Sequence, residues 1–594
     1  MHSRSNSTGI IDDTAISKAR LVFITIMVFC KVKIDPVFNY LDSGALEIGM
    51  QHLFTTLGLA PPIFLQNEMK PNKDWFKPKG YLHLDDKITF DQRNLIQRKV
   101  SNVSFVGNHA FLPLLYKTVT QRKYKKIKQP NGIVRRSHTE IKNGKVIPTK
   151  KVRPIMYASH LDAQIYAYYA NKVLGEKYEK LLKQTHALSN CICAYRKIPS
   201  DDGTKKKNNI SFAHDAFQEI KRRGECAAIA LDIESFFSSL DHVVLKHQWC
   251  QLLGKSILPK DHYNIFKSIT RFHYININDF KTTHNGFDEA HIAELRKKGI
   301  HSFLESPKEL QELIRTKQIL VHKNQFVRKK EAVNVLVGIP QGLAISAMLA
   351  NIYMYAFDKM IYEELVLKRG VFYRRYSDDI VLVCETDERN EVLSFVMDAI
   401  RGKETQLTIS EKKTEVSTFK KEFVGKEERL QVYREETGTP RYNVPFVYLG
   451  FEFYGYQTLI KSANLAKYYR RLKDSIRRAS RRADRKKERD LSDEKILFKT
   501  KLFRQLTFKG RKTRMLKIKR SKRIKDMFGN WQYIVEESPR KYRGNVFRYV
   551  YNAANEMNAP EIKRQYRNHW SIMEKTVNAY NFVNTKLNQE KKTS

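Results

Sequence analysis

Apolar residues recur at three- and four-residue spacing across residues 160–182, which predicts a helix, and the stretch 187–196 that follows reads as extended chain. Residues 213–223 repeat the helical spacing, and residues 226–233 then run apolar over the length of a strand. Between residues 276 and 331 the pattern turns polar and mostly helical, with helices expected at 290–298 and 308–315, so this segment reads as an insertion within a larger domain. Two β-rich pieces come next, 371–384 and 446–454, the second with alternating aromatics. Past residue 461 long helical patterns such as 463–490 take over. At the other end, residues 1–20 are rich in Ser, Thr and Asp without periodicity. The apolar run 21–32 follows Lys18 and Arg20, but it is too short to span a bilayer and no small-residue cleavage site follows, so it reads as a buried strand or helix or as poorly ordered leader sequence. The chain thus divides into a leader ordered only in part (1–34), an N-terminal extension (35–130), a main domain (131–456) with its insertion, and a basic helical region (457–594).

Composition sharpens this picture. A chain of 594 residues holds more than one lobe, and 108 Lys plus Arg against 63 Asp plus Glu leave a formal charge of +45, an excess that calls for a polyanionic partner. From Lys461 onward 38 basic residues face 13 acidic ones, and residues 122–128 are nearly all Lys, Arg and Tyr. With 30 Tyr and 33 Phe beside so many cations, bases and phosphates suit the chain better than lipid. Six cysteines in a chain this long make no disulfide framework and fit a reducing cytoplasm. Cys191 and Cys193 lack the second Cys or His pair that a zinc knuckle needs.

The candidate chemistry lies in two acidic segments. An apolar strand delivers Asp232 at its end, a rigid mount for a metal ligand, although an Asp so placed is more often a helix cap. Tyr376-Ser-Asp-Asp379 sets two adjacent carboxylates at the tip of an expected β-hairpin, which is costly between apolar strands unless cations neutralise them. Together they match nucleotidyl transfer, where carboxylates from separate strands hold two hard cations about 4 Å apart. Between them Gly338, Pro340 and Gly342 interrupt regular structure, and the small residues Ala344, Ser346 and Ala347 open a helix with little bulk.

In order and spacing these segments resemble reverse transcriptases. Asp232 is similar to the motif A aspartate, Pro340-Gln341-Gly342 to the motif B loop, and Tyr376-Ser377-Asp378-Asp379 to the motif C tetrad. Residues 407–414, with Lys413, resemble motif D; Tyr448-Leu-Gly-Phe451 resembles the primer grip; Lys151-Val-Arg-Pro-Ile155 and Ala194-Tyr-Arg-Lys197 resemble fingers motifs. The likeness covers about residues 150–455. It implies an α+β fold, a right-hand polymerase with fingers and palm built from an antiparallel sheet plus helices over 131–456, followed by an α-helical thumb and C-terminal extension. It also implies Asp232 and Asp378 as principal ligands of two Mg²⁺ ions, with Mn²⁺ as a substitute, helped by Asp379 and the Ile233 carbonyl. By the same likeness Lys413 donates a proton to pyrophosphate, and Lys151 and Arg153 clamp the triphosphate. Gln341, Gly342 and Tyr376 line the nucleotide pocket, and Phe237 collides with a ribose 2′-hydroxyl, which selects dNTPs. Phe236 is expected in the core, on the argument that neighbours on a strand point opposite ways.

Ala194-Tyr-Arg-Lys197 and Phe236-Phe237 bring the resemblance nearest to bacterial retron, group II intron and defence-associated enzymes, and the long segments at both ends to the unknown-group, abortive-infection class. The expectation is therefore an RNA-directed DNA polymerase of bacterial antiphage defence, cytoplasmic and without a membrane partner. It would act on an RNA template or structured non-coding RNA and turn dNTPs into a DNA product. The tail helices offer a surface for a second copy as well as for nucleic acid. A group II intron-type maturase and mobility enzyme is one alternative, and a non-catalytic RNA-binding scaffold with a polymerase fold is another; the intact aspartates argue against the second.

Overall fold

A computed structural model describes residues 75–580 apart from 123–124, 129–133, 143, 284–285, 331–332, 437–438, 491–498 and 526–530. The leader, the apolar run 21–32 and Cys30 lie outside the described residues.

Ahead of the palm, β1 (Leu114–Arg122) and β2 (Lys150–Tyr157) pair antiparallel, with Val119 opposite Arg153 and Gln121 opposite Lys151, so a strand from the 35–130 segment shares a sheet with the segment that follows residue 131. On the far side of β1, His273–Asn276 and His322–Lys323 complete a four-stranded sheet. β2 leads into α1 (His160–Tyr168), where the Ser159 hydroxyl accepts from the Asp162 amide and satisfies one of the free N–H groups of the first turn. Next, α2 (Asn209–Arg223) is started by a capping box between Asn208 and Ser211 and ended at Gly224, whose φ of 75° few other residues adopt. Its buried stripe, Ile210, Ala213, Ala216, Phe217 and Ile220, follows the helical repeat.

The palm is a six-stranded sheet. In chain order it comprises β3 (Cys226–Asp232), then, after α3 (His242–Leu253), α4 (Ser346–Tyr353) and α5 (Tyr355–Ile361), the strands β4 (Phe372–Tyr376), β5 (Asp379–Cys384), β6 (Glu415–Val424), β7 (Glu427–Glu436) and β8 (Thr439–Tyr442). The spatial order is β4-β5-β3-β6-β7-β8 and every neighbour is antiparallel. Both faces of the centre are covered, so β3 and β5 read as continuous apolar runs instead of alternating ones. The pleat divides them between two cores. Ala227, Ile229, Leu231, Ile380 and Leu382 join α3, α4 and α5 on one face, while Cys226, Ala228, Val381 and Val383 join α2 and the thumb on the other. With each buried Ile, Leu or Val contributing about 1.5–3 kcal/mol, this two-sided burial makes the strand ends at the site rigid.

The insertion carries helices Glu289–Lys297 and Pro307–Arg315 much as the pattern predicts. It builds a core of its own from Ile292, Phe303, Leu304, Leu310 and Ile319 against Leu84 and Leu115. The thumb opens with α6 (Ser462–Asp490), whose buried stripe of Tyr468, Leu472, Ile476 and Ala483 leaves Arg470, Arg471, Lys473, Arg477, Arg478, Arg481, Arg482 and Arg485 exposed.

Three expectations are corrected. Residues 187–196 are not extended throughout, because His186–Cys191 forms a short helix. The tail is not helical throughout: β9 (Arg514–Lys525) and β10 (Trp531–Tyr542) pair as a long antiparallel hairpin before the helix Val546–Glu556. Phe236 and Phe237 stand on a helical turn, Phe236–Ser239, and not on a strand.

Candidate active site

Strand register brings the acidic residues together. Asp232, the last residue of β3, lies directly opposite Asp379, the first residue of β5. Only Ser377 and Asp378 separate β4 from β5, and Ser377 turns the chain with a left-handed φ of 65°. Backbone bonds lock the assembly: the Ile233 amide donates to the Asp378 carbonyl (3.0 Å), the Ser410 amide to the Asp232 carbonyl (2.9 Å) and the Glu234 amide to the Thr408 carbonyl (2.8 Å). The last two fasten residues 407–414 beside β3, and from there the Lys413 ammonium forms an ion pair with Asp232 Oδ1. Asp232, Ile233, Asp378, Asp379 and Lys413 are thus gathered at one end of the palm sheet.

The electrostatics of this cluster are those of a cation site. Burial, and then the charges of Asp378 and Asp232, push the Asp379 carboxyl up to about 7 in spite of the ammonium groups of Lys413 and Lys461. The raised carboxyl shows that these ammonium groups leave negative charge uncompensated, and the donors are all oxygen, the set that hard divalent ions prefer. Among the described residues no three His, Cys, Asp or Glu side chains close into a metal-binding group, and Lys413 stands against Asp232. The residues present nonetheless fit a divalent ion once that ammonium moves aside.

A second group of contacts shapes the space beside the carboxylates. The Gly338 amide donates to the Leu240 carbonyl (2.7 Å) and the Ile339 amide to the Phe237 carbonyl (2.8 Å), which ties the loop before α4 to the turn after β3. A Cβ on Gly338 would lie 2.6 Å from the Ser238 carbonyl, so only glycine permits this approach. Further along, the Met156 amide of β2 donates to the Gln341 carbonyl (2.9 Å), and a Cβ on Gly342, at φ 120°, would meet the Met156 carbonyl at 2.6 Å. Phe237, Gln341 and Gly342 are in this way drawn to the fingers strand that carries Lys151 and Arg153. Arg153 itself donates to Gln121 (3.1 Å) within the fingers sheet and makes no bond to the carboxylates. Tyr376 pairs with Asp379 across the turn, and its ring lies 6.0 Å from that of Phe212. Phe236 is buried, as expected, and Phe237 is half-buried, both on a helical turn.

Several supporting contacts were not legible in the sequence, although Tyr195 lies in the motif Ala194-Tyr-Arg-Lys197. Tyr195, itself left-handed at φ 64°, shares a hydrogen bond between its hydroxyl and Ser377 Oγ (3.0 Å). Asp241 caps α3 through the amides of Val243 and Val244 and pairs with Arg328 of the insertion, whose guanidinium also donates to the Gln406 carbonyl (2.7 Å). Arg375 and Asp358 form a fully buried ion pair beneath the turn. The sequence shows two arginines inside the run 371–384 and an acid in an apolar helix, but nothing in it pairs Arg375 with Asp358. Cys191 and Cys193 are buried, and burial pushes their thiols up to about 11 and about 12, opposite to the low values that metal-binding thiols show. Among the described residues no helix is long and apolar enough to cross a membrane.

Comparison with known proteins follows the same lines. Curated proteins give no match. Solved structures with detectable likeness include apo telomerase from Candida tropicalis truncated from its C-terminal domain, at 8% identity over 63% of this chain and 61% of that chain with a TM-score of 0.32. Another is telomerase from Candida albicans in complex with a TWJ fragment of telomeric RNA, at 12% identity over 65% of this chain and 54% of that chain with a TM-score of 0.29. The chain thus spans less than two thirds of either telomerase chain. The family model described as reverse transcriptase (RNA-dependent DNA polymerase) matches residues 142–453, more than half of the 594 and a span that contains all the motifs above, and the chain therefore belongs to the reverse transcriptase family.

Proposed function

We propose that this chain is an active RNA-directed DNA polymerase that extends a primer with dNTPs. The observation carrying the reading is the register that sets Asp232 against Asp379 with Asp378 alongside. Oxygens of Asp232, Asp378, Asp379 and the Ile233 carbonyl would hold two Mg²⁺, or Mn²⁺ in their place, and ions bound there supply the charge neutralisation that phosphoryl transfer demands. The chain's own residues do the remainder. Lys151 and Arg153 orient the triphosphate from β2, the guanidinium matching phosphate with two parallel donors. Gln341, Gly342 and Tyr376 bound the nucleotide, and Phe237 excludes a ribose 2′-hydroxyl. Lys413, already within reach of Asp232, carries a proton that it can hand to the departing pyrophosphate. The exposed arginines of α6 hold template and product through phosphates.

The biological setting we assign is bacterial antiphage defence, supported by the resemblance of the motifs to defence-associated enzymes and by the long segments flanking them. Purified protein given Mg²⁺, labelled dNTPs and the nucleic acid that copurifies with it should make DNA, and Asp378→Ala should abolish the product. An unchanged yield in that variant would refute the polymerase. Phage plating on cells that express wild type or Asp378→Ala tests the setting, with protection expected only from the wild type.

A further inference from the structure

Beneath the Ser377 turn lies a polar cluster that the reaction chemistry does not require. Arg375 and Asp358 are both fully buried and form a two-point ion pair, Nε to Oδ1 at 2.7 Å and Nη2 to Oδ2 at 2.6 Å. Tyr373 donates its hydroxyl to the same carboxylate (2.6 Å). Taking two charges out of water costs more than an apolar pair of equal volume would, so stability is a poor reason for the pair to be there. Its remaining contacts give a better one. Arg375 Nη1 donates to the Ser377 carbonyl (3.2 Å), inside the turn that carries Asp378, while the Arg375 carbonyl accepts from the Cys193 amide (2.9 Å). Asn351 of α4 extends the cluster to the Ala194 carbonyl (3.0 Å), next to Tyr195, which holds Ser377 from its other side. A non-glycine residue at positive φ persists only where its surroundings over-determine it, and Ser377 is held from both sides.

We infer that Arg375, fixed by Asp358, is a positioning residue that sets the Ser377 turn and thereby the separation of the Asp378 and Asp379 carboxylates that receive the divalent ions. The inference rests on the polymerase reading. In Arg375→Lys the charge opposite Asp358 is kept, but one ammonium cannot span both carboxylate oxygens and the Ser377 carbonyl. In Arg375→Met with Asp358→Leu the charges leave together, so no buried charge is stranded. Mn²⁺ titration followed by electron paramagnetic resonance, on full-length protein checked by thermal melting, reads the effect without turnover. Each folded variant should bind Mn²⁺ about 10- to 100-fold more weakly, with kcat lowered and the KM for primer-template unchanged. Wild-type Mn²⁺ affinity in either folded variant overturns the inference, as does failure of both to fold, which would assign the pair to stability. If the wild type itself neither binds Mn²⁺ nor incorporates dNTPs, it is the polymerase reading that falls.

Discussion

Among single residues, Phe237 carries the sharpest expectation about substrate choice. Its backbone carbonyl is fixed by the Ile339 amide and its ring stays half-buried at 5.4 Å from that of Phe236, so the ring has little freedom to retreat from a 2′-hydroxyl. Phe237→Ala should raise the relative use of ribonucleotides by roughly 10- to 200-fold, the range a single steric contact in a pocket commands, measured as the ratio of kcat/KM for dNTP and rNTP. His83 governs a different property. It is buried, donates from Nε2 to the Tyr157 carbonyl (3.0 Å), and burial lowers its titration to about 4 from an ordinary 6.5. The unfolded chain accepts a proton near 6.5 whereas the folded chain resists until about 4, so stability falls as pH drops through that interval and does not depend on this group above it. The Tm should decline from pH 6.5 to pH 4, and less so in His83→Gln, which keeps a donor for Tyr157. The convergence of Asp232, Asp378 and Asp379 could be read from sequence because their carboxylates are costly in apolar strands. Arg375 and Asp358 could not, since only the fold reveals that they face each other.

At the scale of elements, the loop before α4 is the joint between fingers and palm. Gly342→Ala must place a methyl 2.6 Å from the Met156 carbonyl at a φ of 120°. The expected cost is about 1–3 kcal/mol, with a raised KM for dNTP as the loop pulls away from β2. Thermal melting with nucleotide kinetics checks this, and wild-type values in both would show that the loop need not touch the strand. Strands β3 and β5 were legible as continuous apolar runs because both of their faces are buried. The hairpin of β9 and β10 was not, although Leu516 and Ile518 alternate with Lys517 and Lys519, because this short alternation lies in a basic stretch that follows long helical patterns. The helix at His186–Cys191 is too short for periodicity to declare itself, and it needs its neighbours to form.

For the whole molecule, a formal charge of +45 and the exposed arginines of α6 predict a nucleic-acid affinity that falls steeply with salt. Each of Arg471, Arg478 and Arg482 replaced by Gln should lower the log–log salt slope by about 1 if it meets a phosphate, without changing sequence preference. An unaltered slope in the triple variant would move the nucleic acid off this helix. The architecture was readable from the order of motifs, whereas the way the insertion reaches the palm through Arg328 and Asp241 needed the fold. The claim on which the rest depends is that Asp232 and Asp378 share divalent ions. Anomalous diffraction from crystals soaked in Mn²⁺ and dNTP tests it most directly. Two peaks about 4 Å apart, coordinated by both carboxylates and with Lys413 drawn away from Asp232, are predicted. Absence of ions there, or an Asp232 carboxylate more than about 10 Å from that of Asp378, would contradict it.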